Sequence, residues 1–308
     1  MTPDATHHPL LQIFIRISLS VIAGIMATGV RAGEFYSIDG MEPETRQLMV
    51  TDSFNTQHTI ATYRWTGAHA KLVFMVHGYL DNCAYLKPLE RWYLNQGYDV
   101  VCMELPGHGN SSGPSADISD MSVYRDIYLG VFPQLDMAGY QSTTFIAHST
   151  GNLGMIDYLL DGHEHPFNQI VMVAPLVRSW MWWPSKMGYT LMGWAVQELP
   201  RRSIQHKNPA YIEIYQQDPQ PVTHSPTHWF GELVEWNSKR ADDGRQSTEK
   251  IRVIFAEDDS VIDTRYNRQF MQGHFPNAEI VTIANSDHML HYEEDEVKAA
   301  FFEALSKP

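Results

Sequence analysis

A serine set between small residues is the first part of this sequence that could carry out chemistry. Ala147-His148-Ser149-Thr150-Gly151 follows an apolar run and precedes a helical segment. A nucleophilic serine on a sharp strand-to-helix turn needs small residues two positions to either side, because its backbone packs tightly against its neighbours. The pattern therefore predicts a nucleophile at Ser149, with Ala147 in place of the usual glycine. A serine that merely begins a helix is the alternative.

A second motif lies where an oxyanion-binding loop is expected. His77-Gly78-Tyr79 follows the apolar run that ends at Val76. Two backbone N–H groups aimed at one oxygen stabilise a tetrahedral intermediate, and one of them belongs to the residue after the nucleophile. We predict that the amides of Tyr79 and Thr150 form this oxyanion hole. Without Ser149, an ordinary strand-ending turn would be the simpler interpretation.

The general base is expected on a loop after the last strand. His288 follows the short polar loop of residues 285–287, whereas its competitor His291 would already lie at the start of the final helix. We therefore favour His288. The other histidines, including His7 and His8, lack the spacing of metal ligands, so no metal or cofactor is expected.

The acid should lie between the nucleophile and the base in the chain. The segment 256–263 meets this condition and follows an apolar run. We choose Asp259 because it stands three residues after the small Ala256 and just before Ser260 and an apolar pair. Asp258 is the second choice, and an acidic turn without a catalytic part is the alternative. The segment's carboxylates are Glu257, Asp258, Asp259 and Asp263.

The segments that must position these residues alternate between short apolar runs and longer amphipathic stretches. This alternation predicts an α/β fold with a mostly parallel sheet that begins with an antiparallel pair. The predicted strands are 47–51, 59–65, 72–76, 99–103, 143–147, 169–173, 251–255 and 279–283. The predicted helices lie near 85–96, 121–137, 152–160, 265–273 and 293–306.

Residues 176–248 interrupt that pattern and predict an inserted cap, or lid, between core segments 33–175 and 249–308. A long elaboration between two strands is a common place for an active-site cover. Tryptophan and methionine cluster between Trp180 and Trp194, which suggests a pocket for an apolar acyl chain, with packing against the core or a membrane as the alternative. The glycine-rich stretch 104–113 is expected to shape the edge of the site, with His108 as a candidate substrate contact.

The first 32 residues are expected to be a signal peptide or a membrane anchor. Leu10 to Val30 is apolar apart from Gln12, Arg16 and a few small polar residues. A segment of this length could be the core of a signal peptide or could associate with a bilayer, and an amphipathic helix packed on the domain is the alternative. We therefore expect an exported or membrane-associated protein, on the periplasmic side if bacterial, with a cytoplasmic one as the alternative.

Charge and cysteine content narrow the classes of partner. The 308 residues carry a net charge of -14 and no run of lysine and arginine, so nucleic-acid binding is not expected. The two cysteines, Cys83 and Cys102, have no metal or redox spacing. We expect them to be buried small hydrophobic residues, with a disulfide as the alternative if the chain is exported.

Taken together, these motifs resemble the α/β-hydrolase superfamily, and within it the serine aminopeptidase-type branch of monoacylglycerol lipases and bacterial lysophospholipases. The resemblance covers the chain from about Gln47 to its end. It implies a mostly parallel eight-stranded sheet flanked by helices, with an inserted helical cap. Ala147 and Ala256 depart from glycines that are common in the family. The matching segments are 77–78, 105–112, 148–151, 259–262 and 288–293.

The predicted activity is hydrolysis of acyl esters, with a lipid ester such as a monoacylglycerol or a lysophospholipid as substrate. Ser149 would attack the ester carbonyl after His288 removes its proton, and Asp259 would orient the histidine. An aminopeptidase of the same superfamily is one rival, and it would need cap carboxylates such as Glu198 or Glu213 to hold an amine. A non-catalytic binding protein that kept the fold is the other.

Overall fold

A computed structural model describes residues 32–66, 70–201, 208–241 and 243–306. The segment 10–30, on which the predicted signal or anchor and the predicted membrane association depend, lies outside these ranges. Among the residues that the structure describes, no helix is long and apolar enough to cross a membrane.

An eight-stranded sheet forms the centre of the molecule. Its strands are β1 Glu44–Thr51, β2 Gln57–Trp65, β3 Lys71–Val76, β4 Tyr98–Met103, β5 Ser142–His148, β6 Gln169–Val173, β9 Ile251–Ala256 and β10 Glu279–Ile283. They lie in the order β1-β2-β4-β3-β5-β6-β9-β10. The β1–β2 and β2–β4 pairs are antiparallel and the others are parallel. The predicted fold class is therefore confirmed.

The central strands are apolar along nearly their whole length because both faces of the sheet are covered. Every residue of β9 is buried, as are five of the six in β3. The helices are α1 Ala32–Phe35, α2 Lys87–Asn95, α3 Ser122–Val131, α4 Gly151–Leu160, α5 Trp182–Met192, α6 Pro209–Gln217, α7 Thr227–Arg240, α8 Thr264–His274 and α9 Asp295–Ser306.

One predicted helix is shorter than expected. The sequence predicts a helix over 121–137, but α3 ends at Val131 and a 3-10 turn follows at Phe132–Gln134. Pro133 lies in that turn, and a proline has no N–H with which to continue the helical hydrogen bonds. The other four predicted helices correspond to α2, α4, α8 and α9.

The chain between β6 and β9 carries α5, α6, α7 and a two-stranded ribbon of β7 Glu198–Pro200 and β8 His224–Pro226. Trp182 of α5 is buried against Phe230 of α7, with ring centroids 5.6 Å apart. This stretch corresponds to the predicted cap, and its role as a lid stays a prediction.

Cys83 and Cys102 form a disulfide, which corrects the expectation of two unpaired hydrophobic residues. Cys102 lies near the end of β4, and Cys83 begins a 3-10 helix soon after β3. Because β3 and β4 are parallel neighbours, their carboxyl ends meet at one edge of the sheet and bring the two thiols together. Disulfides persist in oxidising compartments, and export of the chain stays a prediction.

Candidate active site

Ser149 occupies the turn between β5 and α4. Its backbone has a φ of 50°, in the left-handed region, and its N–H donates to the carbonyl oxygen of Val173 at 2.9 Å. A residue other than glycine in the left-handed region is strained by about 1–3 kcal/mol. It stays in that conformation only where the surrounding structure enforces it. The turn therefore holds the Ser149 hydroxyl in one place at the carboxyl end of the sheet.

The small neighbours of Ser149 are required by the close approach of two loops. A Cβ on Gly151 would lie 2.7 Å from the carbonyl oxygen of His77, and one on Gly78 would lie 3.3 Å from Cβ of Ser149. Ala147, which departs from the usual glycine, lies buried within β5. The turn thus forms with an alanine at this position.

His288 and Asp259 are in direct contact. Nδ1 of His288 lies 2.8 Å from Oδ2 of Asp259, and both side chains are buried. The other oxygen of Asp259, Oδ1, accepts the N–H groups of Val261 at 2.9 Å and Ile262 at 3.0 Å. These bonds fix the carboxylate, so that it can hold one orientation and one tautomer of the imidazole.

The competing residues make other contacts. Asp258 is exposed, and Asp263 accepts the N–H of Tyr266 at the start of α8. His291 is buried with Nε2 3.2 Å from the carbonyl oxygen of Tyr85. The geometry therefore favours Asp259 and His288. No group of three or more potential metal ligands is assembled within the described residues.

His148 is a supporting residue that the sequence reasoning missed. Burial, together with the nearby His288 and His291, lowers its pKa well below the usual value, so the ring is neutral. Its Nε2 lies 3.0 Å from the carbonyl oxygen of His288 and must carry the proton that it donates there. The only sequence signal for this role was its place next to Ser149.

The predicted residues come together around one cavity of about 360 Å³. Ser149, His288, Tyr79 and Thr150 all line it, and Asp259 lies behind the histidine. Side chains of Leu176, Trp229, Phe230, Leu233, Val261 and Met289 supply the apolar part of the wall. The arrangement suits a nucleophile and its base facing an apolar substrate group.

The tryptophan and methionine cluster of residues 180–194 does not line this cavity, so the predicted use of these side chains as the acyl pocket is wrong. Trp183 is 67% exposed and Trp194 is 80% exposed. Among the tryptophan and methionine side chains on α5, Trp182 is buried, whereas Trp183, Met187 and Met192 are exposed. A count of aromatic residues cannot reveal which face of a helix they occupy.

His108 supports the loop after β3. It is buried, and its Nε2 accepts the N–H of Leu80 at 3.1 Å while Nδ1 lies 2.8 Å from the carbonyl oxygen of Pro106. Burial lowers the pKa of His108 to about 4, so the neutral ring donates from Nδ1 and accepts at Nε2. His108 therefore shapes the edge of the site, as was predicted for the glycine-rich stretch 104–113. It does not line the cavity.

The pH dependence of turnover should follow the ionisation of His288. Burial disfavours its charged form, but the charge and hydrogen bond of Asp259, together with the charges of Asp287 and Asp81, outweigh burial and raise the pKa of His288. Only the neutral ring can accept a proton, so we expect kcat/KM for a soluble ester to rise with pH, with a midpoint above about 6.5. A midpoint below that value would contradict the assignment.

A family model and a curated relative match most of the chain. The model described as "Serine aminopeptidase, S33" matches residues 67–295. The probable lysophospholipase L2 of Haemophilus influenzae is 23% identical, over 74% of this chain and 80% of its own. The match to the family model spans the turn at Ser149, the acidic segment and the loop of His288.

Solved structures share the fold. A soluble variant of monoglyceride lipase from Saccharomyces cerevisiae, in complex with a substrate analogue, superposes with a TM-score of 0.69 at 15% identity. The alignment covers 88% of this chain and 96% of that one. The monoacylglycerol lipase of Paleococcus ferrophilus gives 0.63 at 14% identity, over 80% of this chain and 98% of its own. At these identities the likeness establishes the fold alone.

Proposed function

Because the chain belongs to the serine aminopeptidase S33 family of α/β hydrolases, we propose that it is a serine ester hydrolase that acts on acyl esters of lipids. The observation that carries this proposal is the cavity shared by Ser149 and His288, with Asp259 bound to the far side of the histidine ring. The reaction proposed below uses only groups of this chain and water.

The proposed reaction has two steps. His288 removes the proton from Ser149 Oγ as the oxygen attacks the ester carbonyl, and the N–H groups of Tyr79 and Thr150 hold the resulting oxyanion. His288 then gives the proton to the departing alcohol, which leaves an acyl group on Ser149. Water, deprotonated by the same histidine, attacks the acyl carbonyl. The bond to Ser149 Oγ then breaks and releases the acid, and His288 returns the proton to Oγ.

The apolar wall supports a lipid acyl chain as the group bound. A hydrocarbon chain gains about 0.8 kcal/mol for each CH₂ that it buries, so side chains such as Trp229 and Leu233 favour a long acyl group over acetyl. The names of the relatives, a lysophospholipase and two monoglyceride lipases, agree with this choice.

The two carboxylates suggested for the aminopeptidase alternative do not lie in the cavity. Glu198 and Glu213 are exposed and lie outside the cavity lining. Asp81 does line the cavity, but it forms an ion pair with Arg201 at 2.8 Å. Asp287 also lines the cavity, and its Oδ1 accepts the N–H of Ser260 at 2.8 Å and the hydroxyl of Ser260 at 2.9 Å. A substrate amine would have to compete with these partners of Asp81 and Asp287, so the geometry favours ester hydrolysis.

A substrate panel with a covalent probe tests the proposal. We expect a fluorophosphonate to label Ser149, and long-chain monoacylglycerols or lysophospholipids to be hydrolysed faster than acetyl esters of the same alcohols. Faster cleavage of peptide amides with a free amino-terminal proline would replace the proposal with the aminopeptidase alternative. Failure of the probe to label the folded protein would indicate a non-catalytic member.

A further inference from the structure

Two residues from the stretch between β6 and β9 hold the loop of residues 77–82, which we call the oxyanion loop after its proposed role. Trp229 of α7 stacks on Tyr79, with ring centroids 3.8 Å apart. Arg201, directly after β7, donates from Nη1 to the carbonyl oxygen of Leu80 and from Nη2 to Oδ1 of Asp81 at 2.8 Å. The inserted stretch thus contacts the side chain of Tyr79, whose N–H is the proposed oxyanion donor, and the two residues that follow it.

The residue that Arg201 holds has a strained backbone. Leu80 has a φ of 67°, a left-handed conformation that a branched side chain disfavours. Such a conformation persists only where neighbouring groups enforce it. The N–H of Leu80 is bound by His108, and its carbonyl oxygen is bound by Arg201. Without the second bond, the peptide between Leu80 and Asp81 can turn and relieve the strain. The N–H of that peptide, from Asp81, donates to the carbonyl oxygen of Gly78 at 3.4 Å, so it also holds the peptide that carries the N–H of Tyr79.

Several contacts hold the side chain of Arg201 in place. Its side chain is only 9% exposed, and its Nη2 also donates to the hydroxyl of Tyr211 at 2.8 Å. That hydroxyl donates in turn to Oδ1 of Asp81 at 2.9 Å, and the guanidinium lies 5.0 Å from the ring centre of Tyr215. The carboxylate of Asp81 neutralises the arginine, so Arg201 is engaged by the protein rather than left to bind an anionic substrate.

We propose that Arg201 is a positioning residue for the oxyanion loop. By holding the carbonyl of Leu80, it keeps Leu80 left-handed and keeps the N–H of Tyr79 directed at the oxyanion. Catalysis then depends on the inserted stretch being seated on the core. This inference rests on the proposed function, because the loop matters to turnover only if an oxyanion forms at Ser149.

The test compares variants of the full chain on a soluble p-nitrophenyl ester. We expect Arg201→Met to lower kcat by about 10²-fold, the scale of one lost oxyanion donor, with KM changed by no more than about threefold. Arg201→Lys should retain part of the activity, since an ammonium can still bind the Leu80 carbonyl. Guanidinium at non-denaturing concentration should restore turnover to Arg201→Ala.

Two further variants separate positioning from general destabilisation. The double change Arg201→Met with Asp81→Asn removes the buried carboxylate that would otherwise lose its partner, and it should fold and show the same loss of kcat. Arg240→Met is the matched control, because Arg240 is also a mostly buried arginine of the inserted stretch, paired with Asp157 at 2.7 Å and outside the cavity lining. It should lower thermal stability while leaving kcat within about twofold.

The outcomes distinguish this inference from the proposed function. Unchanged kcat in the folded double variant, a loss confined to KM, or an equal loss in Arg240→Met would each overturn the role of Arg201. If the unaltered protein hydrolyses no ester, the proposed function fails instead. Hydrogen exchange then still tests the loop, since the amide of Asp81, which lies in the peptide that Arg201 holds, should exchange faster in Arg201→Met than in Arg240→Met, and equal rates would overturn the inference.

Discussion

Replacing Ser149 by alanine is expected to lower kcat for p-nitrophenyl butyrate by about 10⁶-fold, the scale found when a triad nucleophile is removed. Without the hydroxyl no acyl-enzyme can form, and only the slow attack of water helped by the oxyanion loop remains. The side chain is small and lies at the cavity wall, so the variant should fold as the unaltered protein does. Stopped-flow and overnight assays together cover this range of rates.

Ser179→Ala is the matched control, because Ser179 is another serine of the same cavity wall. It should keep kcat within a few-fold. If Ser149→Ala hydrolysed the ester as fast as the unaltered protein, the assignment of the nucleophile would fail. Intact-mass measurement after rapid quenching adds a second readout, since the acyl adduct should be present in the control and absent from Ser149→Ala.

Asp259→Asn is expected to lower kcat by about 10⁴-fold with little change in KM, the size of effect known for the orienting carboxylate of a triad. An amide in place of the carboxylate can present its NH₂ to Nδ1 of His288 and so favour the wrong tautomer. It also removes the charge that raises the pKa of His288, and burial then acts against the imidazolium. The pH midpoint of the residual activity should therefore fall.

The neighbouring Asp258 supplies the control for this prediction. Asp258→Asn removes the same charge one residue earlier, but from an exposed side chain, and should leave kcat within about twofold. Steady-state kinetics across the pH range will separate the two variants. An equal loss in both variants would contradict the choice of Asp259. A larger loss in Asp258→Asn would assign the acid to Asp258.

Much of the core could be predicted from local patterns. Runs such as Leu72–Val76 and Ile251–Phe255 are apolar at every position or nearly so, because a parallel strand between two helical layers is buried on both faces. The small residues around Ser149 could be recognised in the sequence because a strained turn accepts few larger side chains. The order of Ser149, Asp259 and His288 along the chain then suggested which strand ends meet.

Contacts between distant segments could not be read in this way. Arg201 and Leu80 are 121 positions apart, and nothing near either residue indicates the other. The same holds for the disulfide between Cys83 and Cys102, which depends on β3 lying beside β4. These pairs arise from the order of strands in the sheet and from where an inserted segment folds back, which no local periodicity encodes.

The sequence by itself determined the α/β alternation, the turn at Ser149 and a short set of candidate acids and bases, because burial and backbone strain restrict residue types locally. Only the tertiary structure decided that Asp259 rather than Asp258 contacts His288, since adjacent side chains on a loop differ in direction rather than in kind. It also turned Trp183 and Trp194 to the surface and placed Trp229 in the cavity. The face that a helix buries is set by what packs against it.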